Sequence, residues 1–415
     1  MDVDLSVPLL LDGATATNLF SDKIPEGTCI PKWITEHPQK LISLQREFLS
    51  AGCGLLYAPT FGAGRNNLAQ HGLEDEFETL NRTLVELSKQ ASAGKVPVAG
   101  VLSPTGLEVE PFGESSYTEV MDAFREQASI LAETGVDLFV AETMVSIPEA
   151  RAAAIALRKF KKPVVITMTI DEEGNTLDGG KAVNALIILQ ELGIAAFGLN
   201  CSCGPAAMLE VLQQMTEYAK VPLVAKPSAS SYDEDRHTLI PGLPPEQMAE
   251  QMKALIQAGA SLVGGCCGTT PEHLRKIGAM LQQYPPAVIF DSTRPIEKED
   301  EIILADSTEH YHLYSDQIEC SAPLLCSPDM CDDFLRLEEE RIDVIVVEID
   351  NVDEARDFGA NAHLSSLPIS VYSHDEIALR LALLLYTGKA LVDSRSSIEE
   401  ETLEKIAKKY GAIIY

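Results

Sequence analysis

The sequence predicts an α/β protein: a closed (β/α)8 TIM barrel followed by a smaller C-terminal α/β domain. Three observations predict it. Short apolar, β-branched runs alternate with segments of helical period, as βα units around a parallel sheet require. Eight such units fit in the first 285 or so residues, near the roughly 250 usual for a barrel. The chemically unusual residues also gather at the C-terminal ends of the runs, where barrels build their active sites. An open doubly wound sheet is the structural alternative.

The candidate strands, in order, are PLLLDG (8–13), LLYAPTF (55–61), VPVAGVLSP (96–104), DLFVAET (137–143), PVVITMTI (163–170), AAFGLNCS (195–202), PLVAKPSA (222–229) and SLVGGCCG (261–268). Amphipathic segments lie between them. SYTEVMDAFREQASILAETG is one; PPEQMAEQMKALIQAGA is another, with Pro244 and Pro245 at its start and Gly259 at its end, as helix punctuation prefers. Asp12, Thr60, Ser103, Glu142, Asn200 with Cys201, and Cys266 with Cys267 all fall at strand C-termini and should form one ring.

After YPP (284–286) a charged stretch reads as a linker (287–300), which bounds a barrel domain at 1–286 and a second domain at 301–415. The second domain holds four candidate strands, at 342–350, 368–372, 389–394 and 412–415, with a strong helix in SHDEIALRLALLLYTG. Four units cannot close a barrel.

The chain carries 63 Asp plus Glu against 32 Lys plus Arg, a net charge of -31 that repels phosphate backbones and anionic membranes. Nucleic acid is an unsuitable partner. No window reaches the roughly 18 apolar residues of a membrane span, and a cytoplasmic protein is expected. Nine irregularly spaced cysteines do not form a disulfide framework, so reduced thiols, some bound to metal, are the better reading.

Zinc accepts thiolate ligands in a tetrahedron, and a catalytic site keeps one corner open. Cys266 and Cys267 are adjacent, so an ordinary strand would point them to opposite faces. Gly268 can turn the chain and let both sulfurs converge. Cys201 is the best third ligand, with Cys203 the substitute. Taken singly, each cysteine also reads as a small buried hydrophobe. A three-thiolate site is poor at making hydroxide but suits a substrate thiol, which loses its proton on binding and stays nucleophilic. Alkyl transfer to sulfur is the reaction class.

In order along the chain, LLLDGATATNL, APTFGAGRNN, VAGVLSPTGLEVEPFGESSY, GVDLFVAETM, GLNCSCGP, PLVAKPSA and VGGCCGTTPEHL resemble the homocysteine S-methyltransferase family, most closely the homocysteine module of cobalamin-dependent methionine synthases. The resemblance implies zinc on Cys201, Cys266 and Cys267, with homocysteine as acceptor and methionine as product. It associates Glu142 and Asp12 with the homocysteine amino group. Asn200 is assigned to substrate binding, and backbone N–H groups around Gly13, Ala14 and Ser103 to the substrate carboxylate. Thr60 and Ser228 are candidates for a fourth ligand or the pocket wall.

The methyl donor implied is methylcobalamin on a separate corrinoid protein; S-methylmethionine or S-adenosylmethionine is the alternative. The chain departs from the family at Pro59, at Ala16 and Thr17, and at Ser228 and Ser230, which leaves another thiol acceptor as an alternative. The tail, through GKALVDSRS, resembles part of a pterin-binding barrel. Its incomplete sheet suggests a partner, either a complementary half-barrel subunit or a second copy.

Overall fold

The computed structural model describes residues 3–5, 7–20, 27–201, 204–233, 238–240, 242–286 and 300–415. Eight parallel strands form the first sheet: β1 (Leu9–Leu10), β2 (Leu56–Ala58), β3 (Val98–Leu102), β4 (Leu138–Met144), β5 (Val164–Met168), β6 (Ala196–Cys201), β7 (Leu223–Pro227) and β8 (Ala260–Val263). They pair in sequence order from β2 to β8, and β8 then pairs with β1. The ring closes where Leu11 bridges Leu55 and Gly54 N–H donates to Leu10 O at 2.8 Å. The open-sheet alternative is thereby excluded.

Both faces of each strand are buried, because helices wrap the outside and side chains fill the inside. Leu138 and Val140 of β4 point inward with Tyr57, Val101, Val165, Val224 and Leu262. Their neighbours Phe139 and Ala141 pack outward against the helices. Leu5 joins the inner cluster and stops one end of the barrel. The helices start where the sequence indicates: Ser116 and Glu119 form a reciprocal capping box, and Pro245 opens helix Pro245–Gln257.

The second region begins with a hairpin, β9 (Glu301–Ala305) and β10 (His310–Tyr314). Five parallel strands follow in strict sequence order: β11 (Leu324–Leu325), β12 (Ile345–Glu348), β13 (Ile369–Tyr372), β14 (Leu391–Val392) and β15 (Ile413–Ile414). The sequence reading found four of these and missed β11, a two-residue strand set between Pro323 and Cys326. It also missed the hairpin, whose HYHLY strand is half exposed and mostly polar. Residues 287–299, nearly all of the expected linker, lie outside the described residues.

The hairpin covers one face of this five-stranded sheet. Leu304 and partly buried Ile302 pack with Val344, Leu391 and Tyr415 on one side of the sheet, while Ile303 and Ala305 join the barrel's outer core. One strand therefore serves two cores by period-two alternation. Helices cover the opposite side through Ile345, Val347, Ile369 and Val371.

A polar clasp adds to this joint. Arg151, 1% exposed, donates to Leu383 O at 2.6 Å and to Leu384 O at 2.7 Å, satisfying carbonyls at the end of helix Glu376–Leu385. Lys389, from the second region, pairs with Glu191 of the barrel at 3.2 Å. No described helix is long and apolar enough to cross a membrane.

Candidate metal and substrate site

The ends of β4, β6, β7 and β8 meet around a cavity of about 290 Å³, lined by Asp12, Glu142, Cys201, Lys226, Cys266 and Cys267 among others. Cys201 Sγ lies 3.8 Å from Cys267 Sγ, and the three sulfurs all fall within 4.8 Å of one another. With zinc–sulfur bonds of about 2.3 Å, two ligands of a tetrahedron stand about 3.8 Å apart. The spacing therefore fits zinc. Contact with Cys201 lifts the Cys266 thiol well above its usual range, with Cys267 and burial adding to it. Cys267 is pushed up to about 12, first by Cys201. Crowding and burial thus hold the protons on Cys266 and Cys267 unless a cation replaces them.

The backbone brings the sulfurs together by two devices. Gly268 has φ +79°, and a Cβ there would lie 2.2 Å from Ser230 Oγ, so only glycine makes the turn after the cysteine pair. The turn is strapped by its neighbours: Cys266 N–H donates to Pro227 O, and Ala229 and Ser230 N–H both donate to Cys267 O. Thr17 Oγ1 accepts Gly268 N–H at 3.1 Å, which gives one of the departures from the family pattern a local role.

The second device is strain. Cys201 (φ +64°) and Thr143 (φ +59°) adopt the left-handed region that residues with a Cβ rarely enter. Asn200 holds both strand ends: its Oδ1 accepts Thr143 N–H at 3.0 Å, and its Nδ2 donates to Thr143 Oγ1 at 2.7 Å. This clasp directs Cys201 and Glu142, the residues beside it.

Several residues expected at the substrate make contacts within the protein. Asn200 is fully buried and bonds Thr143, and its Nδ2 also donates weakly to Cys266 Sγ at 3.9 Å. Thr60 is also fully buried, and its hydroxyl bonds both Val101 O (2.7 Å) and Val101 N–H (3.0 Å), joining β2 to β3. Ser103 accepts Gly62 N–H and donates to Pro104 O, away from the cavity. Ala14 N–H is taken by Thr269 Oγ1 at 3.1 Å. Gly13 does line the cavity. Ser228 donates weakly to Cys201 Sγ at 3.9 Å, beside the thiol cluster. Cys203 lies outside the described residues.

Lys226 is the residue the sequence reading missed. Its ammonium, with the side chain 4% exposed, lies 2.9 Å from Glu142 Oε1, 3.4 Å from Asp12 Oδ1 and 3.8 Å from the centre of the Tyr57 ring. Burial works against the charge, but Glu142, Tyr57 and Asp12 together raise its pKa well above the ordinary lysine value. Asp12 is itself pushed up to about 6 by burial, against the opposing pull of Lys226. Its Oδ2 accepts Tyr57 N–H at 2.8 Å, so both oxygens are engaged. A signal was present: lysine inside an apolar parallel strand is rarely buried without a charged partner.

Comparison with known proteins agrees with this geometry. The family model for homocysteine S-methyltransferase matches residues 9–281. Methionine synthase of Mycobacterium leprae is 28% identical over 278 residues, covering 64% of this chain and 23% of that protein. Methionine synthase of Mycobacterium tuberculosis is 29% identical over 255 residues, covering 58% and 21%. The chain thus spans under a quarter of the curated relatives' length. Among solved structures, the homocysteine methyltransferase MmuM from Escherichia coli matches in its oxidized form with TM-score 0.56, 23% identity and coverage of 66% of this chain and 95% of that one. Its metallated form matches with TM-score 0.54, 23% identity and coverage of 66% and 96%. These structures share the barrel fold, and the matched region contains all three clustered cysteines. The chain belongs to the homocysteine S-methyltransferase family.

Proposed function

We propose that the barrel, residues 1–286, transfers a methyl group to the thiol of homocysteine and forms methionine. The observation that carries this reading is the three-thiol cluster opening into the same cavity as Glu142. Cys201, Cys266 and Cys267 would hold zinc, which supplies a site where an acceptor thiol sheds its proton while its sulfur stays nucleophilic. A sulfur–methyl bond forms as the donor–methyl bond breaks, its electron pair leaves with the donor, and the thiol proton passes to solvent.

The protein's own residues position the acceptor. Glu142 receives its ammonium, and Asn200 holds Glu142 and Cys201 at a fixed separation through Thr143. Small residues at Gly13 and Ala14 leave room for the acceptor's backbone. Holding the reactants in line is worth up to about 7–11 kcal/mol in favourable cases.

The donor we propose is methylcobalamin carried by a separate corrinoid protein; the likeness to methionine synthases supports this choice. Zinc-loaded protein given homocysteine and each donor in turn tests it. Methionine should appear with the methylated corrinoid protein. Methionine from S-methylmethionine or S-adenosylmethionine without a corrinoid would replace that donor assignment, and no methionine with any donor would reject the activity.

A further inference from the structure

The Lys226 cluster carries a consequence for acceptor selection that rests on the reading above. Two carboxylates and one ammonium meet on one wall of the cavity. Asp12 is 1% exposed, with one oxygen on Lys226 and the other on Tyr57 N–H. Both of its oxygens thus already hold a partner within the protein. Glu142 is different: its side chain is 15% exposed, and Lys226 engages Oε1.

We infer that Lys226 is a positioning residue that sets acceptor specificity: it balances buried Asp12 and pins Glu142, leaving one net negative charge for one ammonium on the acceptor. The count is simple. With Asp12 and Glu142 ionised, one lysine leaves the wall with one excess negative charge, and a single ammonium neutralises it. Without Lys226, two neighbouring carboxylates would compete for a proton, and Glu142 would lose the contact that fixes its direction.

The lysine does not simply replace the acceptor's ammonium. It rises from β7 beneath the cavity wall, its charge shared by Asp12, Glu142 and the Tyr57 face. The site should therefore favour a thiol bearing one nearby ammonium over the same thiol without it.

The test compares homocysteine with 4-sulfanylbutanoate, its analogue lacking the amino group, by calorimetric titration of zinc-loaded protein. Wild type should bind homocysteine at least about tenfold more tightly, the scale of a hydrogen bond to a charged group. Lys226→Met should lose most of that preference by weakening homocysteine, with the analogue changed less than about twofold and zinc content retained. Lys226→Arg should restore the preference. If Lys226→Met does not fold, Lys226→Gln serves, since its amide can still bond Glu142 but carries no charge.

Equal weakening of both thiols would overturn the inference, as would tighter homocysteine binding by the variant, which would make Lys226 a competitor of the acceptor's ammonium. If wild type preferred the analogue, the charge count would be wrong even though the site binds thiols. If wild type bound neither thiol, the homocysteine reading would fall and this inference with it.

Discussion

The barrel and the half-barrel are built by the same progression of strand, helix and parallel strand, yet only one gathers a cluster of thiols. In the barrel, closure at Leu11 and Leu55 brings the ends of β4, β6, β7 and β8 around one cavity. In the second region five parallel strands form an open sheet, and a hairpin covers one of its faces. The cysteines follow suit. Cys201, Cys266 and Cys267 converge, whereas Cys320 and Cys331 are exposed and Cys326 is bonded to Glu354 O. The difference teaches that a βα repeat makes candidate ligands available, while ring closure makes them meet.

The largest test of that contrast is Cys266→Ala. Zinc content should fall to near background, and methyl transfer by at least about a thousandfold if the metal-bound thiol is required. Cys331→Ala, in the other region, should change neither by more than about twofold. Metal analysis and turnover of the two variants provide the comparison; a zinc-replete Cys266→Ala would break it.

Leu304→Asp attacks the hairpin's cover of that sheet. A carboxylate between hairpin and sheet should cost about 3–5 kcal/mol in that region. Denaturant unfolding should show an early transition by second-region probes while zinc binding survives. A single unshifted transition would mean the hairpin contributes little.

Titration distinguishes the cavity from the joint between the regions. The folded pKa of Asp12, about 6, lies above its ordinary 3.8, so the native state binds that proton more readily. Its contribution therefore favours folding at low pH and is lost as pH rises from about 4 to about 6, by up to about 3 kcal/mol. Asp12→Asn should flatten that part of the stability profile. Glu191 has the opposite sign: burial opposes its charge, but Lys389 and Lys220 hold its pKa below normal. Its contribution is present at neutral pH and is lost as pH falls through the carboxylate range.

Arg151→Met should have the smallest effect, about 2 kcal/mol, by leaving two buried carbonyls without their donor. The signature is loss of coincidence between the barrel and half-barrel transitions. Transitions that still coincide would show that the hairpin alone couples the regions.

The sequence made the repeating architecture legible because burial on both strand faces produces apolar runs, and Gly268 marked the cysteine turn because its geometry excludes a side chain. Lys226 stands in an apolar strand, but its partners Asp12 and Glu142 come from other strands of the ring. Which residue would face it depended on barrel curvature. Asn200 and Thr60 were legible as rim residues, but their bonds to Thr143 and Val101 on neighbouring strands were not. Side-chain type indicates what a residue can bond, and only the neighbouring strand shows which bond it makes. The hairpin was illegible for another reason: its core contacts alternate between two regions, so neither periodicity dominates.

That alternating strand has a consequence for how this chain can be divided. Helix Ala182–Gln190 is buried at every residue, and the hairpin forms part of its cover; His310 Nδ1 meets Asn184 Oδ1 at 3.0 Å, while Ile303 and Ala305 extend the apolar contact. A gene fragment trimmed within 287–299 would remove this cover and expose a surface unsuited to water. The portable unit for recombination therefore ends after Tyr314, beyond the apparent linker, and takes the first two strands of the second region with it.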